Sequence, residues 1–148
     1  MVIWLTGIPG VGKRALAQEL RKLLENGRRF QVLDAAEVRR WVHPSTIPPM
    51  EERVSAVAWI AEMLAANGVG VIVCCVSPSR NQRNELRERF LDLGIYFYEV
   101  WVDGGSGLEG EHGYEHPELP DSKAEVGKNG WATVARQVLG ELDLWEVR

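Results

Sequence analysis

MVIWLTGIPGVGKR, from Met1 to Arg14, is the stretch that decides the fold. Its apolar run, Val2 to Thr6, is typical of a strand that is buried on both faces, and a glycine-rich turn follows at once. The turn matches the phosphate-loop pattern G-x-x-x-x-G-K-[ST] as far as Lys13. Arg14 then stands at the position where the pattern has a hydroxyl residue.

A tight glycine turn that leads into a helix can surround a phosphate, because its backbone N–H groups and the helix N-terminus point into the same space. Lys13 would add a positive charge beside the β and γ phosphates. The alternative is a turn that only joins a strand to a helix. The pattern favours a nucleotide-binding loop made of Gly7, Ile8, Pro9, Gly10, Val11, Gly12, Lys13 and Arg14.

The composition bounds the class of protein. With 148 residues, of which 45% are hydrophobic and 26% are charged, the chain is expected to form one soluble globular domain over residues 1–148. A net charge of -4 and a pI near 5.4 argue against non-specific nucleic-acid binding, which relies on a positive field. A small anionic ligand held by a local basic cluster is compatible with this charge.

The longest apolar stretch, VGVIVCCV, is far too short to cross a bilayer, so we expect no membrane partner. The first strand runs directly into the glycine loop and leaves no place for the cleavage site of a signal peptide. Cys74 and Cys75 are adjacent within the apolar stretch, where neither a disulfide nor a metal site is expected. We therefore predict a cytoplasmic protein with two buried thiols.

Apolar runs alternate with segments of helical period along the chain. Strands are predicted at 2–6, 30–34, 69–76 and 95–102, and helices at 13–27, 35–41, 50–68, 79–94 and 131–142. The polar segment 103–127, rich in glycine and proline, is predicted to be a loop. This alternation predicts an α/β fold, with a parallel sheet of about four to five strands covered by helices on both faces. The helical period places these residues inward: Leu16, Leu20, Leu23, Leu24, Val54, Val57, Ala58, Ala61, Leu64, Ala65, Leu86, Phe90 and Leu91.

Ligands of such sheets bind outside the carboxyl ends of the strands, so four segments are predicted to meet at one mouth. These segments are 7–13, 34–39, 77–83 and the stretch that begins at Asp103.

Arginines are concentrated near this mouth. Arg80, Arg83 and Arg87 lie at helical spacing, so that Arg80 and Arg83 could reach the mouth, and Arg39 and Arg53 could join them. A guanidinium suits phosphate or sulfate oxygens, which indicates a second anionic ligand beside the nucleotide. The alternative is that the arginines form solvated faces paired to Glu85 and Glu88.

Five motifs occur in a characteristic order: GIPGVGK, LDAAEVR, VSPSRNQR, YEVWVD and YEHPELP. This order resembles the adenylylsulfate kinases, which belong to the P-loop nucleotide kinases and phosphorylate the 3′-hydroxyl of adenosine 5′-phosphosulfate with ATP and Mg²⁺. The resemblance extends to about Pro120. It implies a P-loop NTPase fold, ATP and Mg²⁺ as cofactors, and a cytoplasmic role in sulfate assimilation.

The resemblance also implies roles for individual residues. Lys13 would bind the ATP phosphates and Asp34 would keep the first carboxylate of the reacting centre, so both are predicted to be catalytic and Asp34 is the predicted metal ligand. The predicted substrate-binding residues are Arg39, Arg53, Ser77, Pro78 and Arg80, among which Arg53 has the weakest alignment.

Three departures from the family pattern bear on catalysis. Arg14 replaces the hydroxyl that serves Mg²⁺, and Ala36 replaces the second carboxylate. The segment 102–117, where the family has a basic lid, is short and contains no Lys or Arg. Arg14 could itself neutralise phosphate charge, or it could point into solvent. Asp34 or Glu37 could hold Mg²⁺ through water.

The alternatives are therefore a working kinase for adenylylsulfate or another small molecule, a nucleotide-binding or regulatory module without turnover, and a scaffold that binds nothing. The sequence leaves the oligomeric state open, with a homodimer among the alternatives.

Two smaller features have simple interpretations. A metal site could be drawn from His112 and His116 with the neighbouring glutamates, but a solvated loop is the favoured interpretation. Trp41 and Trp59 lie near the predicted mouth, where they could stack on a base, although core packing is favoured for both.

Overall fold

The computed structural model describes residues 1–105, 113–125, 127 and 129–144. Within these residues the chain forms a five-stranded, fully parallel sheet, which confirms the predicted α/β class. The strands are β1 (Val2–Thr6), β2 (Phe30–Asp34), β3 (Gly70–Cys74), β4 (Phe97–Asp103) and β5 (Ser122–Glu125). Their order across the sheet is β2-β3-β1-β4-β5.

Helices connect the first four strands in chain order, as parallel pairing requires, and a further helix follows β5. They are α1 (Lys13–Leu24), α2 (Ala35–Val42), α3 (Met50–Ala66), α4 (Arg80–Asp92) and α5 (Trp131–Glu141). None of them, in the part of the chain that the structure describes, is both long and apolar enough to span a bilayer.

The central strand β1 is buried on both faces, as its sequence predicts. Ile3 and Leu5 face a core layer that includes residues of α1 and α5, whereas Val2 and Trp4 face a second layer with residues of α3 and α4. All four side chains have no exposed surface. Because successive side chains of a strand point to opposite faces, one apolar run supplies both layers.

The prediction of a loop over the whole segment 103–127 was wrong in one part. Ser122–Glu125 forms β5, which pairs with β4 in the register Val100 to Ser122 and Val102 to Ala124. The segment SKAE contains a single apolar residue, so its sequence lacks the signal of a buried strand. Backbone pairing with β4, and not an apolar pattern, defines this strand.

Most of the predicted inward residues are buried or partly buried in the two layers. Leu91 is an exception, because it is 74% exposed next to the fully buried Phe90. Leu86 and Phe90 are four positions apart and share a helix face, whereas Leu91 lies a further 100° around the helix.

The expected core packing of Trp41 and Trp59 was also wrong, since they are 81% and 60% exposed. Helix α2 contains no buried residue, and Trp59 lies on the outer face of α3.

Candidate functional site

The glycine loop joins the end of β1 to the start of α1, and two of its glycines are required by close contacts. A Cβ at Gly7 would lie 2.6 Å from the carbonyl oxygen of Val102. Gly12 has φ 107°, which side chains rarely adopt, and a Cβ there would meet the ring of Trp131. The loop therefore lies tightly against β4 and α5.

Lys13, the first residue of α1, folds its side chain back over the loop. Its Nζ donates hydrogen bonds of 2.8 Å to the carbonyl oxygens of Gly7 and Ile8. Burial lowers the pKa of this ammonium, and the charge of Asp34 is among the smaller effects that raise it. The lysine is thus held at the loop by neutral carbonyls, which an anion could replace as stronger partners.

A cavity of about 420 Å³ opens beside the loop, a volume typical of small-molecule sites. It lies at the carboxyl ends of β2 and β3, as the topology predicts. Cys74 and Cys75 line it and are both buried. The remaining lining residues come from the loop and the start of α1, from the junction of β2 and α2, and from the segment after β3: Pro9, Gly10, Gly12, Lys13, Arg14, Asp34, Ala35, Ala36 and Val76.

Arg14 does not simply point into solvent, although its side chain is 60% exposed. Its Nε lies 3.1 Å from Oδ2 of Asp34, and its Nη2 lies 3.7 Å from Oε2 of Glu37. The other oxygen of Asp34, Oδ1, accepts a 2.9 Å hydrogen bond from the backbone N–H of Ala36 and caps α2. Both oxygens of the predicted catalytic carboxylate are therefore engaged.

Ser77 is fully buried, and its hydroxyl serves the protein itself. It accepts a 2.9 Å bond from the indole N–H of Trp4 and lies 3.1 Å from the hydroxyl of Thr6. Thr6 Oγ1 donates to the carbonyl oxygen of Val76 and lies 2.8 Å from the hydroxyl of Tyr114. This polar cluster fixes the end of β1 just before the loop. Substrate binding at Ser77 and Pro78 stays a prediction that cannot use this hydroxyl in the observed arrangement.

Comparison with known proteins agrees with this geometry. The family model described as "Adenylylsulphate kinase" matches residues 1–121 of the chain. This chain belongs to the adenylylsulfate kinase family. The P-loop assignment of the glycine loop is confirmed with it, and the fold is that of the P-loop nucleotide kinases.

Individual relatives cover the chain to different extents. The adenylyl-sulfate kinase of Myxococcus xanthus is 38% identical over 104 residues, which are 68% of this chain and 56% of the relative. The probable adenylyl-sulfate kinase of Archaeoglobus fulgidus is 36% identical over 152 aligned positions, covering 86% of this chain and 97% of that protein. The matched segment thus spans about half the length of the first relative and nearly all of the second.

A solved structure of the family has the same fold. The Mycobacterium tuberculosis APS kinase CysC in complex with AMPPNP and APS superposes with a TM-score of 0.80 at 26% identity. The superposition covers 96% of each chain.

The arginine that the family resemblance assigns to the phosphosulfate, Arg80, is engaged within the protein. Its Nε and Nη2 donate bonds of 3.0 and 2.9 Å to the carbonyl oxygen of His116, and Nη1 lies 3.3 Å from Glu118. Its backbone N–H donates to the carboxylate of Glu115. The role of Arg80 in ligand binding stays a prediction and requires an exchange of these partners.

Arg39 and Arg53 do not line the cavity, but each is connected to residues that do. Arg39 follows Ala35 and Ala36 by four and three positions on α2, so it shares a helix face with these two cavity residues. Arg53 donates a 3.0 Å hydrogen bond to the carbonyl oxygen of Pro48, and its positive charge is among the effects that lower the pKa of Cys75. Burial raises the pKa of Cys75 to about 11, while hydrogen bonds from Ser77 and the charges of Lys13 and Arg53 act in the opposite direction.

Arg83 does not reach the mouth as an available cation. Its side chain has no exposed surface, and Nε pairs with the buried carboxylate of Glu99 at 3.1 Å. It also donates to the carbonyl oxygens of Ser77 and Glu115. The alternative prediction, in which these arginines form surface ion pairs with Glu85 and Glu88, was also wrong. Arg87 contacts Asp121 at 2.8 Å and Glu99 at 3.6 Å instead. The two arginines fasten α4 to β4 and to the segment 113–121.

Trp131 is the site residue that the sequence interpretation missed. It begins α5, and its ring lies against Gly12 of the P-loop. A signal was available, because the helix after the last strand of a parallel sheet starts near the shared mouth. The signal could not be used while β5 was interpreted as a loop.

The remaining predictions concern the segment after β4. His116 stacks on Trp101 with the ring centroids 5.1 Å apart, while His112 and residues 106–111 of the shortened lid lie outside the described residues. No cluster of three or more metal-ligating side chains occurs within residues 1–105, 113–125, 127 and 129–144.

Trp41 on α2 and Trp59 on α3 have exposed side chains, and base stacking on them stays a prediction.

Proposed function

We propose that this chain binds an adenine nucleotide, ATP, with its phosphates in the P-loop cavity. The observation that carries the proposal is the position of Lys13, whose Nζ lies 2.8 Å from two loop carbonyl oxygens beside the 420 Å³ cavity. The steric need for glycine at positions 7 and 12 supports the same interpretation, since the loop backbone must be shaped in this way to present its N–H groups.

We propose that a sulfonucleotide or a similar small anion binds next to the nucleotide. Arg39 of α2 shares a helix face with two cavity residues, the charge of Arg53 on α3 acts on the cavity residue Cys75, and Arg80 begins α4. Guanidinium groups from three elements can hold the oxygens of a phosphosulfate from different sides. Ser77 and Pro78 would shape this site through their backbone, because the Ser77 hydroxyl is buried.

Mg²⁺, which the family uses with ATP, does not fit the residues at this loop. A hydroxyl at position 14 would be a ligand, but Arg14 places a positive charge there. The guanidinium also engages Asp34, the carboxylate predicted to bind the metal. The assignment of Asp34 as a metal ligand stays a prediction that would require exchange of this partner, and no step of the reaction is derived through a metal.

Phosphoryl transfer is a second candidate function, supported by family membership. It would break the bond between the γ-phosphorus and the bridging oxygen of ATP and form a bond to the 3′-oxygen of adenylylsulfate. Asp34 could take the hydroxyl proton only after it leaves Arg14. Because Ala36 removes a second carboxylate, we propose that turnover is strongly reduced and that the chain acts mainly as a nucleotide-binding or regulatory module.

The binding proposal can be tested by calorimetric titration with ATP. Lys13→Ala should weaken binding by at least about tenfold, because the phosphates lose their nearest ammonium. Lys22→Ala is the matched control, since Lys22 lies on the same helix, is 70% exposed and contacts only Glu19 among the ion pairs of the described residues. Equal affinities of the wild type and Lys13→Ala would contradict the proposal.

Transfer of labelled γ-phosphate to adenylylsulfate separates the two candidates. A rate clearly above that of Lys13→Ala and a protein-free blank would establish the kinase reaction. ATP binding without transfer would establish the binding module. The same transfer assay with other small alcohols tests a different phosphotransferase specificity.

We also propose that residues 1–148 act as one domain, in the cytoplasm and without a nucleic-acid or membrane partner. The homodimer stays a prediction, which sedimentation of the purified protein would test.

A further inference from the structure

Arg14 occupies the position where a P-loop of this pattern carries its metal-binding hydroxyl. The residue lies directly after Lys13 and lines the same cavity. Two adjacent cations therefore stand at the start of α1, where the helix dipole also favours an anion. The loop therefore carries a positive charge at the position where the pattern has a metal ligand.

The partners of Arg14 hold its guanidinium beside the phosphate site. Nε is 3.1 Å from Asp34 Oδ2 and Nη2 is 3.7 Å from Glu37 Oε2. The Arg14 side chain is 60% exposed, whereas that of Asp34 is 18% exposed, so solvent screens this pair only in part. A rotation of the side chain about its long stem can exchange these carboxylates for phosphate oxygens, which are also anionic partners.

A divalent cation at Asp34 would compete with partners that both carboxylate oxygens already have. Oδ1 accepts the bond from the N–H of Ala36 that caps α2, and Oδ2 pairs with Arg14. A metal ion at this carboxylate would also lie beside Lys13 and Arg14, two positive charges. If Arg14 exchanges the two carboxylates for phosphate oxygens, Lys13 and Arg14 both face the nucleotide.

We propose that Arg14 takes the place of the divalent cation, so that this P-loop binds nucleotide phosphates without a metal. The guanidinium exchanges Asp34 and Glu37 for oxygens of the β and γ phosphates, which it can hold in a bidentate manner. This inference rests on the proposed nucleotide binding. It makes Arg14 the residue that determines the metal requirement.

Calorimetric titration with ATP in EDTA and in excess Mg²⁺ tests the proposal. The wild type should bind ATP with affinities that agree within about threefold in the two buffers. Arg14→Ser introduces the hydroxyl of the P-loop pattern and removes the ion pair with Asp34. Because it lacks the guanidinium, this variant should bind ATP at least about tenfold more weakly than the wild type in EDTA. Mg²⁺ should recover at least about tenfold of that loss.

Arg21→Ser is the matched control. Arg21 is on the same helix and pairs with Glu25 at 2.9 Å, away from the loop, so this variant should retain the wild-type affinities in both buffers. Thermal unfolding of each variant checks that it is folded. With ADP and Mn²⁺, an electron paramagnetic resonance signal of protein-bound Mn²⁺ should appear for Arg14→Ser and not for the wild type.

The outcomes separate the two proposals. Wild-type binding that is at least about tenfold tighter with Mg²⁺, or Arg14→Ser binding in EDTA that equals the wild type, would overturn the role of Arg14 and leave nucleotide binding intact. If the wild type binds ATP in neither buffer, the proposed function fails and this inference fails with it.

Discussion

The indole ring of Trp131 lies so close to the α-carbon of Gly12 that a Cβ at position 12 would come within 2.2 Å of ring atom Cζ2. Two segments that are far apart in the sequence, the P-loop and the start of α5, therefore share one contact at the mouth of the sheet. The contact explains why glycine is needed at position 12 for reasons of space as well as conformation.

This contact makes Gly12→Ala a disruptive substitution. We expect a loss of about 3 kcal/mol in the free energy of unfolding, from the strained φ together with the overlap with Trp131. Gly10→Ala is the control, because Gly10 also has positive φ but open space around its Cβ, so it should cost only about 1 kcal/mol. Urea unfolding measures both values.

A double-mutant cycle isolates the overlap. Gly12→Ala combined with Trp131→Ala should cost less than the sum of the two single changes, because the smaller side chain leaves room for the new methyl group. Additive costs would mean that the ring moves away freely and does not constrain the loop.

The buried pair of Arg83 and Glu99 leads to a second prediction. Arg83→Leu should destabilise the protein by about 3 kcal/mol, since it leaves the carboxylate of Glu99 buried with only the more distant Arg87 as a partner. Adding Glu99→Leu to this variant should recover part of the loss. Arg89→Leu breaks an exposed pair with Glu62 and should have a much smaller effect in the same unfolding experiment. A double variant less stable than Arg83→Leu would argue against the buried charge as the cause.

The two cysteines should be unreactive in the folded protein. Burial raises the pKa of Cys74 to about 12 and that of Cys75 to about 11, so the thiolate fraction near neutral pH is very small. We expect alkylation by iodoacetamide at about pH 8 to be at least about 100-fold slower in the native state than in guanidinium chloride. Mass spectrometry of the peptide that contains Cys74 and Cys75 measures the rate of alkylation. Rapid labelling of the native protein would contradict the burial of these thiols.

The same thiols affect stability at high pH. Their folded pKa values lie above the unfolded value of 9.0, so the stability they contribute is fully present below pH 9.0. It should be lost as the pH rises through about 11 to 12. Cys74→Ser combined with Cys75→Ser should flatten this alkaline decline in urea unfolding, and an unchanged slope would assign the decline to other groups.

The lowered pKa of Lys13 predicts how nucleotide binding depends on pH. Burial lowers its pKa from 10.5, so the free protein loses this charge at a lower pH than an ordinary lysine would. Because the phosphates bind the charged form, ATP affinity should begin to fall below pH 10.5 as the pH is raised. Titrations of the wild type and Lys13→Ala over the alkaline range measure this decline, which should be absent from the variant. An equal decline in both proteins would exclude Lys13 as its source.

Much of the fold could be predicted from local sequence. The apolar run Val2 to Thr6 indicates a strand that is buried on both faces, and the apolar period of the helices indicates their buried face. The α/β class was therefore predicted correctly, and most element ends were predicted to within about two residues. The strand Ser122–Glu125 and the exposed Leu91 were not, because pairing with β4 creates the former and helix rotation relative to the core decides the latter.

The sequence by itself determined that residues 7–13 form a P-loop after a buried strand, since the spacing of the glycines and Lys13 contains that information locally. It also showed that Arg14 replaces a hydroxyl residue. Only the tertiary structure decided what the arginines do. Arg14 pairs with Asp34, Arg83 is buried against Glu99, and Arg80 binds the carbonyl of His116. These partners lie 16 to 36 residues away along the chain, and only the packing of parallel strands and their helices brings them within bonding distance.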